Sequence, residues 1–284
     1  MLFISNQNDL NEICELIASS KIVSIDTEFQ RRNTYFPILS LIQIKTDDHG
    51  VIIDTLSDIN LSPFKDILLN SEILKIFHAP REDLFIFYNL FKQLPQNIFD
   101  TQLAANFCKL GNFLSYSDLC YKICGVVIDK KYQKANWLQR PISIEMMNYA
   151  IKDVEYLKKM YSVLMEIMSE NNVYDNYQNQ INLLLDNQNY TVNPKKILKR
   201  IQLPSYSKEF LSKMEMFIAF REEYAIQLDL PRQYFISDED LVKICQHLPI
   251  STNAFNKLNI TSKYLSEPKY KNRLLELIIG YNES

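Results

Sequence analysis

The chain has 284 residues, 47% of them hydrophobic and 23% charged, with a formal net charge of −3. That length is enough for one or two domains with a buried core. Its four glycines (Gly50, Gly111, Gly125, Gly280) cannot compose a G-x-x-x-x-G-K-[ST] or G-x-G-x-x-G loop, which excludes P-loop ATPases and Rossmann dehydrogenases. Only three histidines are present, too few for a histidine-cluster metal site. The five cysteines form no C-x-x-C pair and read as buried free thiols of a reducing cytoplasm. No apolar run reaches the ~18 residues of a membrane span, and the N-terminal residues lack the basic and apolar regions of a signal peptide. The expectation is a soluble cytoplasmic protein with no membrane partner and no nucleotide cofactor. Residues 1–190 carry 17 basic and 23 acidic side chains and residues 191–284 carry 14 and 11, so the basic excess lies late, around Lys195, Lys196, Lys199 and Arg200.

In chain order, the pattern predicts a strand at Leu2–Ile4 and a helix carrying Leu10, Ile13, Cys14 and Ile17 at near-helical spacing. Three β-rich runs follow, Ile22–Asp26, Ile38–Lys45 and Val51–Asp54, with a turn-forming stretch at 46–50 before the last, which suggests an antiparallel meander. A short helix at Leu61–Leu69, a strand at Leu74–Phe77 and a helix from Pro80 to Phe91 come next. After them are a strand at Asn97–Phe99, a helix capped by Asp100 and another at Leu114–Cys124. The stretch 129–141 is polar and irregular, and Ser143 caps one long helix to about Glu170. Strands alternating with helices after a meander indicate an α/β domain with a mixed sheet over 1–170. Residues 171–206, rich in Asn, Gln and Tyr, read as a connecting helix and linker, and 207–284 as a small all-α domain.

Four acids stand where acids are costly. Asp26 and Glu28 close an apolar strand, and their i, i+2 spacing turns both to one face. Like charges so placed repel, and cations relieve them. Asp83 falls in the first turn of a helix, where the helix dipole alone could account for it. Asp153 lies inside a helix one turn after Tyr149, and taken singly could be a solvated acid beside a lysine. Together, four carboxylates without His or Cys match what Mg²⁺ or Mn²⁺ prefers in phosphoryl transfer.

The motifs Asp26-Thr27-Glu28-Phe29, His78-x-x-x-x-Asp83-Leu84 and Tyr149-x-x-x-Asp153 resemble the three exonuclease motifs of the DEDD superfamily, in its tyrosine-bearing branch. The flanks Thr34-Tyr35-Phe36-Pro37, Leu41-Ile42-Gln43-Ile44, Phe99-Asp100-Thr101-Gln102-Leu103-Ala104 and Trp137-Leu138-Gln139-Arg140-Pro141 look like ribonuclease D. Residues 207–284, with Phe220-Arg221 and Asp229-Leu230-Pro231-Arg232, are similar to its HRDC domain. The resemblance implies a ribonuclease-H-like mixed sheet and a metal-dependent 3′→5′ exoribonuclease that trims RNA 3′ ends, tRNA precursors among them, and releases nucleoside 5′-monophosphates. It implies two divalent cations on Asp26, Glu28, Asp83 and Asp153, and a water oriented by Tyr149. It also puts Phe29 and His78 beside the substrate, although core packing for Phe29 and a hydrogen-bonded structural role for His78 fit as well. Trp137 and Arg140 read as loop anchors. Three features depart from the pattern: room for one helical domain where many members have two, Asn136 where relatives often have Asp, and the bulky Lys152 beside Asp153. The competing readings are an exonuclease acting on DNA and a catalytically dead nucleic-acid-binding adaptor. Retention of all four acids and the tyrosine speaks against the adaptor.

Overall fold

The computed structural model describes residues 1–282 and divides into two compact units. The first comprises residues 1–30 and 37–190, the second residues 31–36 and 191–284. Among the described residues no helix is long and apolar enough to cross a membrane.

The first unit is an α/β layer structure. Its strands are β1 (Leu2–Ile4), β2 (Ile22–Gln30), β3 (Ile38–Lys45), β4 (Gly50–Asp54), β5 (Leu74–Phe77) and β6 (Ile98–Asp100). They form one sheet in the order β1-β4-β3-β2-β5-β6. The meander β2-β3-β4 is antiparallel, while β1 joins β4, β5 joins β2 and β6 joins β5 in parallel. Successive residues Val23, Ser24 and Ile25 are all buried, as they must be in a strand covered on both faces. The helices are α1 (Gln7–Ala18), α2 (Ser62–Leu69), α3 (Arg81–Phe91), α4 (Thr101–Phe107), α5 (Tyr116–Cys124), α6 (Ile144–Glu155), α7 (Leu157–Glu170) and α8 (Tyr174–Leu184). Side-chain oxygens of Asp100, Ser115 and Ser143 accept from backbone amides at the starts of α4, α5 and α6, the residue types that favour such caps.

The strand and helix order follows the sequence pattern, with three differences. Strand β2 runs four residues beyond the apolar run, to Gln30, and its register against β3 slips between Glu28 and Phe29. This bulge follows the two acids, so their shared face is preserved. The helix expected from 144 to 170 is broken at Tyr156, between α6 and α7. The Tyr116 hydroxyl is inserted there, donating to the Lys152 carbonyl at 2.5 Å and accepting from the Tyr156 amide at 3.3 Å, which intercepts the helical bond between those two residues. Segment 171–206 is split: α8 belongs to the first unit, where Tyr177 and Ile181 are buried in its core, and 191–206 belong to the second.

The second unit is helical, with α9 (Pro194–Leu198), α10 (Lys208–Gln227), α11 (Arg232–Phe235), α12 (Asp238–His247), α13 (Thr252–Asn256) and α14 (Pro268–Asn282). Its core includes Met214, Phe217, Phe235, Leu241 and Leu274. Residues 31–36 are part of this unit. The Tyr35 hydroxyl donates to Glu222 at 2.5 Å, and the Tyr35 amide donates to Asp229 Oδ1 at 3.0 Å. Glu222 also pairs with Arg221 and Arg232, each at 3.1 Å, and Arg221, fully buried, reaches Asp238 at 2.6 Å.

Candidate active site

The four acids come from three parts of the first unit. Asp26 and Glu28 project from the C-terminal half of β2, Asp83 from the first turn of α3, and Asp153 from the last turn of α6. Asp26 lies opposite Gln43 in the β2-β3 ladder, and Glu28 opposite Leu41. Helix α6 is seated on that part of the sheet through Leu41, Ile52, Trp137, Ile142, Met146 and Ala150. The seating turns Tyr149 and Asp153, one turn apart, toward the two β2 acids. Arg140 secures the loop leading into α6: it pairs with Asp54 at 2.5 and 2.8 Å and donates to the carbonyls of Trp137 and Ser40. Trp137 and Arg140 are thus anchors and do not line the cleft.

The turn before α3 is fixed differently. Ala79 adopts a left-handed conformation with φ 53°, costly for a residue with a Cβ. The Asp100 carboxylate, which caps α4, also accepts from the Ala79 amide at 2.9 Å and holds that turn in place. His78 is held on both sides, with Nδ1 2.9 Å from Thr101 Oγ1 and Nε2 3.1 Å from the Leu114 carbonyl. Burial pushes its pKa down to about 4, so the ring is neutral near pH 7.

These side chains enclose an open cleft of about 220 Å³ lined by Asp26, Glu28, His78, Tyr149 and Asp153. Asp83 lies behind that lining, buried, with its carboxylate accepting from the Thr27 hydroxyl. Phe29 packs against the core of the unit and is not among the cleft residues. Sequence reasoning missed Lys130 and Gln133, which line the cleft from the irregular stretch before Trp137, and Ser115, Tyr116 and Ser117 at the start of α5. The available signal was a polar, basic loop lying between two of the motifs. Asn136 and Lys152, the two departures near the motifs, both carry exposed side chains.

The electrostatics are those of an unsatisfied anion cluster. Burial first, then repulsion from Asp83, Asp153 and Glu28, raises the pKa of Asp26 well above the usual carboxylate range. Glu28 is raised in the same way, by burial and then by Asp153 and Asp83. Burial lifts Asp83 to about 6 against the Thr27 hydrogen bond, and lifts Asp153 to about 7. Tyr149 is raised by burial and by Asp153, so its hydroxyl stays protonated at neutral pH and acts as a donor. An oxygen-only donor set that repels itself fits hard divalent cations. Gln43 adds to the fit, since it is fully buried beside Asp26 and neither polar atom of its side chain has a partner. As the side chains stand, no group of three His, Cys, Asp or Glu among the described residues is positioned to hold an ion. A bound cation would relieve the mutual repulsion that raises Asp26 and Glu28.

Residues 1–169 match the family model described as a 3′-5′ exonuclease. The chain is 32% identical over 278 residues to ribonuclease D of Gluconacetobacter diazotrophicus, covering 98% of this chain and 71% of the relative. It is 33% identical to ribonuclease D of Bartonella henselae, covering 93% and 65%. This chain belongs to the ribonuclease D family. The enzyme class that goes with this membership is 3′→5′ exoribonuclease. Among solved structures, Escherichia coli RNase D, described as an exoribonuclease involved in structured RNA processing, superposes with a TM-score of 0.87 at 27% identity over 99% of this chain and 74% of that one. The catalytic core of RRP6 from Trypanosoma brucei shares the fold, with a TM-score of 0.69 at 24% identity. The chain spans about two thirds of the length of its ribonuclease D relatives.

Proposed function

We propose that the cleft removes nucleotides one at a time from RNA 3′ ends, tRNA precursors among them, and releases nucleoside 5′-monophosphates. The observation that carries this reading is the convergence of Asp26, Glu28 and Asp153 with Tyr149 on one cleft, and Asp83 close behind. Asp26, Glu28 and Asp153 would hold one divalent cation, with Asp26 shared and Asp83 supporting a second. Bound Mg²⁺ or Mn²⁺ supplies Lewis-acid stabilisation of the charge that builds on the phosphoryl oxygens.

The remaining roles fall to the chain itself. Tyr149, a protonated donor one helical turn from Asp153, orients the attacking water through its oxygen and hydroxyl hydrogen. Lys130, at the mouth of the cleft, offers the one cationic side chain of the lining to a backbone phosphate. His78, neutral and held through both nitrogens, shapes the wall without taking a proton. No groove-reading helix or zinc module is written in the sequence, so recognition goes through the 3′ end, the backbone and stacking. Residues 207–284 act as an HRDC-like domain that adds RNA affinity, and the basic cluster Lys195, Lys196, Lys199 and Arg200 adds phosphate contacts ahead of it.

The test is incubation of the full chain with a 3′-extended tRNA precursor and a DNA strand of matched sequence, with Mg²⁺ and with Mn²⁺. The reading expects stepwise shortening of the RNA from its 3′ end and mononucleotide products. Equal digestion of the DNA would favour the DNA exonuclease, and binding without cleavage would favour an inactive adaptor.

A further inference from the structure

Strand β2 carries the acids near its C-terminal end, and its N-terminal end borders a second cavity. This one is about 430 Å³, larger than the cleft, and opens beside Ile22, Leu74 and Ile98, the first residues of the parallel strands β2, β5 and β6. Four residues of strand separate Ile22 from Asp26, roughly 13 Å at about 3.3 Å per residue, and both side chains lie on the same face of the sheet. The two cavities share no lining residue and are separate sites.

The wall of the second cavity has an unusual chemistry. Against an aliphatic floor that includes Leu74 and Met165, Phe99, Tyr161 and Tyr174 supply aromatic faces, and Asn97, Gln178 and Asn182 supply amides, of which Asn97 Nδ2 donates to the Ser71 carbonyl at 2.9 Å and Gln178 Nε2 to Asn182 Oδ1 at 3.4 Å. The lining contains no carboxylate, histidine or cationic side chain, so the cavity suits an uncharged ligand group. The aromatic wall is fixed: Phe99 meets Tyr161 edge-on at 4.8 Å and Tyr177 at 5.0 Å, and the Tyr177 hydroxyl accepts from the Asp100 amide at 2.8 Å. Tyr174, by contrast, is 42% exposed. Helix α8 provides Tyr174, Tyr177, Gln178 and Asn182 from the run Tyr-Asp-Asn-Tyr-Gln-Asn-Gln and the residues just after it. Tyr177 and Ile181 of this helix are buried in the core of the unit, while Tyr174 and Asn182 stand exposed beside the cavity.

We propose that this cavity binds a nucleobase, stacked on the tyrosine faces and read along its edge by the amides. A flat, uncharged ring with donors and acceptors on its rim matches a wall that combines aromatic faces with amide groups. The choice of a base over another flat polar ring rests on the nuclease reading. The base has two sources, a released nucleoside monophosphate or an upstream nucleotide of the RNA strand.

The experiment measures binding of adenosine, and of single-stranded RNAs of three and twelve nucleotides, to the full chain in EDTA. The variants are Tyr174→Ala and Gln178→Leu, both on the surface of α8, with folding checked by circular dichroism. Loss of one stacking face weakens binding by about tenfold. The proposal expects adenosine binding to weaken in both variants while hydrolysis of the three-nucleotide RNA with added cation stays at the wild-type rate. A parallel loss for the twelve-nucleotide RNA alone among the RNAs assigns the base to the strand, and a loss confined to adenosine assigns it to the free product. Adenosine binding that is absent in the wild type, or unchanged in both variants, overturns the proposal. Failure of the nuclease reading shows separately, as wild-type protein that binds adenosine but never cleaves RNA.

Discussion

Replacing Asp153 by Asn separates stability from activity at the same residue. Burial raises this carboxyl from 3.8 to about 7, so holding it ionised at pH 8 costs the fold up to ~4 kcal/mol, at 1.36 kcal/mol per unit. The cleft is open to water on one side, which reduces the recoverable part to ~1–3 kcal/mol. The amide keeps the shape and removes the charge, and it also relieves Glu28 and Asp26, whose carboxyls Asp153 raises. In EDTA at pH 8 the Asn variant should therefore melt ~2–12 °C above wild type, at about 2–4 °C per kcal/mol for a unit of this size. Added Mg²⁺ or Mn²⁺ should reverse the order, because a saturating ligand stabilises wild type by ~2.7 kcal/mol at a hundredfold excess over Kd and the variant by less. Hydrolysis should fall by at least about 10²–10³-fold, the scale of several kcal/mol of transition-state stabilisation. Thermal unfolding with and without cation, beside a turnover assay, reads all three. A lower melting temperature in EDTA, or wild-type turnover, would show that Asp153 is neither a strained anion nor a cation ligand.

Tyr149→Phe should slow turnover by about 10²-fold or less while cation binding survives, since it removes one positioning hydroxyl; loss of cation affinity in a titration would make the tyrosine a structural support. Glu222→Gln should destabilise the helical unit by ~3–5 kcal/mol in denaturant unfolding, because the fully buried Arg221, whose Nη2 already has no partner, loses a counter-charge, Arg232 loses its own, and Tyr35 exchanges a carboxylate acceptor for a weaker amide one. Lys75, buried with its ammonium donating to the Asn70 and Ile73 carbonyls, has its pKa lowered from 10.5 to about 8 by burial. Between those values the unfolded chain holds more protons than the folded one, so stability should rise with pH from about 8 to 10.5, and Lys75→Met should flatten that slope in a pH series of unfolding curves. Neutralising Lys195, Lys199 and Arg200 to Gln should lower the log–log salt slope of RNA binding by ~0.7–0.9 for each phosphate these side chains neutralise; an unchanged slope at unchanged affinity removes this cluster from the RNA path.

The strands and the four acids were legible because they follow local rules: apolar runs bounded by turn residues, and acids placed where a lone charge is costly. The break at Tyr156 was not legible, because helix periodicity continues through it and the cause is a hydroxyl 40 residues away. The sharing of residues 31–36 with the helical unit was equally hidden. Thr34-Tyr35-Phe36-Pro37 lies between two predicted strands with nothing in its pattern to assign it elsewhere, and only the buried Glu222 and the Asp229 carboxylate show where Tyr35 belongs. That sharing also bears on truncation. A chain cut at residue 190 loses the partners of Tyr35, so substitution at the basic cluster tests RNA affinity more cleanly than removal of the domain. Within the cleft, motif residues were readable from spacing, while Lys130 and Gln133 lie on an irregular stretch whose path is set by Arg140 and Trp137 and has no period to read. Spacing does not show the depth of Asp83, which is buried outside the cleft lining with its carboxylate accepting from the Thr27 hydroxyl.

The proposed function requires that the carboxylate cluster hold divalent cations and that hydrolysis depend on them. The most direct measurement is titration of Mn²⁺ by electron paramagnetic resonance into wild type and Asp26→Asn, with release of mononucleotide from a 3′-labelled RNA followed in the same samples. Wild type should bind Mn²⁺ and release label in proportion to occupancy, and Asp26→Asn, folded, should do neither. Label released at the full rate in EDTA, or Mn²⁺ bound equally by Asp26→Asn, would contradict it.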